Sequence, residues 1–192
     1  MFVTDLGEGA RLRPLEPWQA PEFLEHIDRA RDYVDPWIPW TSRSTDLASA
    51  RAVLQRYADQ QAQDKARLYG IWLDGTLVGG VMLINIDADG GQFDVGCWLE
   101  PAGAGRGLVT RAAARLLDYG FTERGWHRAN WKCRPDNEAS RAVARRLGMR
   151  LEGTLREDFP HLGRRHDTEI WAILAREWTS TAQLAREKRG AR

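Results

Sequence analysis

The order of elements in this chain predicts an α/β protein whose single mixed sheet, mostly antiparallel, is flanked by helices. Three observations lead there. The dipeptide Asp74-Gly75 marks a hairpin inside an antiparallel meander. A β-α-β-α-β run follows that meander. At 192 residues the chain suits one well-cored domain and is short for two.

The stretch Ala10 to Glu16 alternates Leu12 and Leu15 with Arg11 and Arg13, which reads as a first strand, and Pro14 puts it at a sheet edge. Phe23, Leu24 and Ile27 follow helical spacing between Trp18 and Arg31. Leu47, Ala50, Val53, Leu54 and Tyr57 repeat it from Asp46 to Gln63, with Thr45 or Asp46 as the cap. Between these helices, Tyr33-Val34-Asp35-Pro36-Trp37-Ile38-Pro39-Trp40 holds two prolines that bar a regular helix and two tryptophans able to wall a pocket or pack the helices together.

Residues Arg67 to Leu73 and Thr76 to Asp87 form the hairpin, and a third strand runs through Phe93, Val95, Cys97 and Leu99. A glycine-rich loop then leads into a helix from Leu108 to Glu123. A strand from His127 to Cys133 and a helix from Glu138 to Leu147 follow, the helix capped by Asn137 and stopped by Gly148. Strands from Met149 to Phe159 and from Arg165 to Ala175 turn at Gly163. The segment from Arg176 to Arg192 reads as a charged, fraying helix. The expected organisation is one domain over residues 1–178 and a charged tail over 179–192.

A net charge of +1, from 28 basic and 27 acidic residues, lacks the bulk footprint of a nucleic-acid binder. The two cysteines, Cys97 and Cys133, have no CxxC or histidine spacing, so they read as free buried thiols with no metal. No apolar run is long enough to span a bilayer, and a cytoplasmic protein is expected.

Chemistry concentrates in two segments. The loop Pro101-Ala102-Gly103-Ala104-Gly105-Arg106-Gly107-Leu108 joins a strand to a helix, and its glycines let backbone amides approach an anion at the helix N-terminus. Leu108-Val109 after the last glycine excludes a Walker A loop. Leu108 or Thr110 in the last glycine position excludes the dinucleotide fingerprint.

The second segment is Cys133-Arg134-Pro135-Asp136-Asn137-Glu138-Ala139-Ser140, followed by Arg146-Leu147-Gly148-Met149 and Glu152-Gly153. Together with the glycine loop, the Pro36-Trp37-Ile38-Pro39-Trp40 segment and Phe93-Asp94-Val95-Gly96-Cys97-Trp98, it resembles the GNAT acetyltransferase superfamily, in its RimJ/RimL-type branch. The likeness spans roughly Ala10 to Trp178.

The resemblance implies a sheet splayed between the family's fourth and fifth strands, here Phe93 to Leu99 and His127 to Cys133. It implies pantetheine in the gap against the backbone of Trp98 and Leu99, and pyrophosphate on the amides of Gly105, Arg106, Gly107, Leu108, Val109 and Thr110. Ala104 and Val109 depart from the family's loop pattern, at positions where the cradle is mainly backbone. Asn137 and Ser140 correspond to the family's N-x-x-S element, the asparagine toward the pantetheine arm and the serine near the thioester sulfur. Asn137 also reads as a helix cap, and Ser140 as a local backbone partner.

Where many relatives carry an acidic tyrosine this chain has Ala144, which leaves Ser140 as the substitute. The base is open between Asp158, which needs a bulge to turn it inward, Asp94, Glu157 and water. Trp37 and Trp40 are the expected substrate wall. His26, His127, His161 and His166 receive no catalytic role.

The implied activity is N-acyl transfer from acetyl-CoA to a primary amine such as a protein N-terminus, by direct attack in a ternary complex, with a possible homodimer. The alternatives are a small-molecule amine acceptor, a succinyl-CoA donor with Arg43 near the tryptophan loop taking the extra carboxylate, and a non-catalytic acyl-CoA-binding module.

Overall fold

The computed structural model describes residues 3–39 and 41–180. Eight strands form one sheet in chain order except at its end: β1 (Thr4–Gly7), β2 (Ala10–Pro14), β3 (Arg67–Leu73), β4 (Thr76–Asp87), β5 (Gln92–Leu99), β6 (Arg128–Cys133), then β8 (Arg164–Leu174) inside β7 (Arg150–His161). Every neighbouring pair is antiparallel except β5 with β6. That parallel pair requires a crossover, which α3 (Leu108–Asp118) provides.

The expected mixed sheet is present, with one strand more than the sequence reading placed. The sequence predicts Ala10 to Glu16 as the first strand and at a sheet edge, yet β1 pairs outside β2 and buries Leu6, which is 6% exposed. A four-residue strand with one apolar side chain carries too little alternation to be recognised.

The two faces of the sheet hold separate cores. Helices α1 (Ala20–Val34) and α2 (Leu47–Ala62) cover one with Phe23, Ile27 and Leu54 against Trp72, Met82 and Trp98. Helices α3 and α4 (Glu138–Arg146) cover the other, against Phe93, Val95, Trp131 and Trp171. Asp46 caps α2 through Ser49 N at 2.7 Å, and Asn137 caps α4 through Ser140 N at 3.0 Å.

Helix α3 stops earlier than its hydrophobic period suggested. From Tyr119 to Glu123 it opens into a wider π turn, with Arg124 N bonded to Tyr119 O at 3.0 Å. Of the expected C-terminal helix only residues 176–180 are described, and Ala175–Glu177 form a 3-10 turn. Trp40 and the tail beyond residue 180 lie outside the described residues.

Candidate active site

Strands β5 and β6 stay together only from Gln92–Arg128 to Val95–Trp131. Beyond that point β5 continues against β4 alone, with Gly79 opposite Leu99 and Gly80 opposite Trp98, while β6 continues against β8. The facing backbone edges of Gly96 to Leu99 and of Lys132 to Cys133 therefore border a gap in the sheet. A strand edge left open in this way offers unpaired N–H and C=O groups to an extended ligand.

The Trp98 side chain is locked on the α1 face. A Cβ on Gly80 would come within 2.1 Å of its ring, so only glycine allows this approach. Its indole Nε1 donates to His26 Nε2 at 2.9 Å, and His26 Nδ1 lies 3.2 Å from Glu100 Oε2. Arg29 Nε stands 3.4 Å from the same carboxylate. This buried chain fixes the end of β5, where the glycine loop begins.

At the other end of that loop, Gly107 is the N-cap residue of α3, with φ of 67° in the left-handed region, which favours glycine. The first helical bond is Arg111 N to Gly107 O at 3.0 Å, which leaves the amides of Leu108, Val109 and Thr110 without an intrahelical acceptor. Leu108 and Val109 bury their side chains, so what they offer outward is backbone. Gly105 also has a positive φ, 77°, and Arg106 is exposed.

Arg111, one turn into the helix, was missed by the sequence reading. Its guanidinium lies 3.7 Å from where a Gly107 Cβ would be, it reaches Glu8 at 3.3 Å, and its Nε is buried without a partner. Free amides, a helix N-terminus and an orphaned cationic N–H together suit a phosphate. Its only sequence signal was a cation four positions after the last glycine.

Across the gap, Ser140 sits on the first turn of α4. Its amide is taken by Asn137 Oδ1, and its Oγ accepts from Trp131 Nε1 at 2.9 Å. Cys133 and Cys97 each lie two residues past the last β5–β6 pair, on the α3/α4 face. Burial pushes the Cys97 thiol up to about 12 and the Cys133 thiol up to about 11, so both are neutral sulfurs near pH 7. Asn137 makes the expected cap, and its amide nitrogen has no partner among the described residues.

The base candidates are not brought together. Asp94 is on the opposite face, at the vertex where the strands part. Its carboxylate accepts from Lys132 Nζ at 2.8 Å, Asn85 Nδ2 at 2.9 Å and Asn130 Nδ2 at 3.0 Å. A β7 bulge is present: four steps from Leu155 to Phe159 face two steps from Thr168 to His166. Glu157 sits in it at φ 53°. Because two extra residues preserve parity, Phe159 returns to the face of Leu155 and Asp158 stays out of phase with both. Asp158 and Glu157 are exposed.

The tryptophan loop is held beside the residue that follows β6. The Arg134 guanidinium stacks 4.9 Å over the Trp37 ring and donates to Pro36 O at 3.2 Å. His161 Nε2 donates to Asp35 O at 2.6 Å, tying the loop to the end of β7. Arg43 is exposed.

A family model described as an acetyltransferase (GNAT) domain matches residues 10–150. The chain is similar to the putative ribosomal N-acetyltransferase YdaF of Bacillus subtilis (strain 168), 29% identical over 183 residues that cover 93% of this chain and 98% of that one. It is also similar to the ribosomal-protein-serine acetyltransferase of Escherichia coli (strain K12), 29% identical over 152 residues, covering 79% and 85%. Among solved structures, Mycobacterium smegmatis RimJ in complex with CoA-disulfide superposes with a TM-score of 0.83 at 26% identity, covering 94% of this chain and 89% of that one.

Proposed function

The chain belongs to the GNAT acetyltransferase family, and from that membership we propose that it moves an acetyl group from acetyl-CoA to a protein N-terminal α-amine by direct attack in a ternary complex. Acetyltransferase names along nearly its whole length count against the non-catalytic alternative. The observation that carries the reading is the gap between β5 and β6, flanked by the amides of α3 at one end and by Ser140 at the other.

In this reading the backbone of Trp98 and Leu99 pairs with the pantetheine arm. The amides from Gly105 to Thr110, with Arg106 and Arg111, hold the pyrophosphate. Asn137 offers its free amide nitrogen to the arm. The acyl-CoA supplies an activated thioester, and the chain supplies placement together with donors for developing charge.

Ser140 stands as hydrogen-bond donor to the departing sulfur. Asp94 already takes three donors, so its work is to hold Lys132, Asn85 and Asn130 at the vertex. Deprotonation of the incoming ammonium falls to water, with Asp158 too far out of phase to serve. Trp37, clamped by Arg134, walls the acceptor side. The ribosomal names of the relatives support a protein acceptor, and we extend the reading to a cytoplasmic homodimer, which sedimentation would test. Among the described residues no helix is long and apolar enough to cross a membrane.

Calorimetric titration with acetyl-CoA, succinyl-CoA, free CoA, ATP and NAD, followed by mass spectrometry on a panel of peptides and polyamines, tests this. Saturable binding of the CoA compounds alone, with a single acetyl added at peptide N-termini, is the expected result. Modification of polyamines but no peptide would move the acceptor to a small molecule. Preference for succinyl-CoA would replace the donor and direct attention to Arg43.

A further inference from the structure

Trp131 is 1% exposed and is the last residue of β6 paired with β5 before the gap opens. Its indole N–H points at Ser140 Oγ over 2.9 Å. An indole nitrogen can only donate, whereas a hydroxyl both donates and accepts. The direction of this bond is therefore settled: Trp131 gives and Ser140 receives. The hydrogen of Ser140 cannot lie along the same line and must point elsewhere. Cys133, whose thiol the Ser140 side chain holds below where burial alone would put it, stands at the border of the gap.

We infer that Trp131 is a positioning residue, whose N–H turns the Ser140 hydroxyl so that its hydrogen is offered to sulfur in the gap. The inference rests on the reading that Ser140 serves the thioester. Without the indole donor the hydroxyl is free to aim its hydrogen at other acceptors around the first turn of α4, and a productive orientation becomes one of several. Phenylalanine would keep most of the buried ring and lose only the direction. Trp131 stands opposite Trp171 in the β6–β8 pairing, within an apolar cluster that makes no demand for a nitrogen; among the described residues the partner of that nitrogen is Ser140.

The test is a cycle of Trp131→Phe, Ser140→Ala and the double variant, with kcat measured under single-turnover conditions and acetyl-CoA affinity measured by calorimetry. Trp131→Phe should lower kcat by about tenfold, on the scale of one neutral hydrogen bond. Affinity should stay within about twofold, and the substitution should have no further effect in the Ser140→Ala background. An equal loss in both backgrounds, or no loss in the wild-type background, overturns the inference.

Should Trp131→Phe fail to fold, the indole N–H of Trp131 is followed by nuclear magnetic resonance in the wild type and in Ser140→Ala. Faster solvent exchange in the variant supports the bond, and unchanged exchange removes it. A wild type that acetylates no amine at all would instead sink the functional reading while leaving the resonance result standing.

Discussion

His26 has no solvent contact, and both of its ring nitrogens are engaged: Nε2 accepts from Trp98 Nε1, so Nδ1 carries the proton offered to Glu100. Burial first, and Arg29 second, lower its pKa from 6.5 to about 4. Near neutral pH the His26–Glu100 contact is therefore a hydrogen bond between a neutral ring and a carboxylate. As pH falls from 6.5 towards 4, the unfolded chain takes up a proton that the folded chain refuses. Stability on the order of 3 kcal/mol is lost across that window. Urea midpoints measured from pH 7 to pH 4 should fall more steeply for the wild type than for His26→Gln; equal slopes would clear His26 of the effect. None of this was legible in the sequence, because the partners of His26 lie 72 and 74 positions away. Asp94 is a similar case: its residue type suited a base, and only the folded sheet reveals three donors already on it.

Local signals, by contrast, translated directly into elements. Asp74-Gly75 turned the hairpin where expected, and Asn137 and Gly148 bounded α4. The glycine loop became the start of α3, and here the left-handed φ of Gly107 makes a sharp prediction possible. Gly107→Glu should weaken acetyl-CoA binding at least about tenfold, because it adds backbone strain and puts a negative charge where phosphate is expected. Gly107→Asn, which tolerates that backbone region, should stay within about threefold. Calorimetry decides, and unchanged affinity for the glutamate variant would refute the cradle. The β7 bulge was the element-scale feature that alternation could not resolve: its size sets which face Asp158 takes, and size depends on the pairing with β8 rather than on β7 itself.

Seen whole, the sheet is two antiparallel pieces, β1 to β5 and β6 to β8, joined along the short parallel seam and by the helices packed across it. The order of elements was readable from hydrophobic periodicity. The parting of β5 from β6 was not, since it concerns two strands separated by a helix, and it entered the sequence reading only through family resemblance. An extended ligand in the gap binds the folded state alone. At about 100 times its dissociation constant it should add about 2.7 kcal/mol and raise the melting temperature by roughly 5–10 °C. Thermal scans with acetyl-CoA, and with NAD as control, measure this; equal midpoints would mean that acetyl-CoA does not bind the folded chain.

The short seam also bears on how long each molecule survives. Proteases cut chains that have opened, and the open fraction falls as ligand fills the sheet. With the gap as the acyl-CoA site, a shortage of acyl-CoA would leave more of this protein open to degradation. Its abundance in the cell would then follow the supply of its own acyl donor through the shape of the gap.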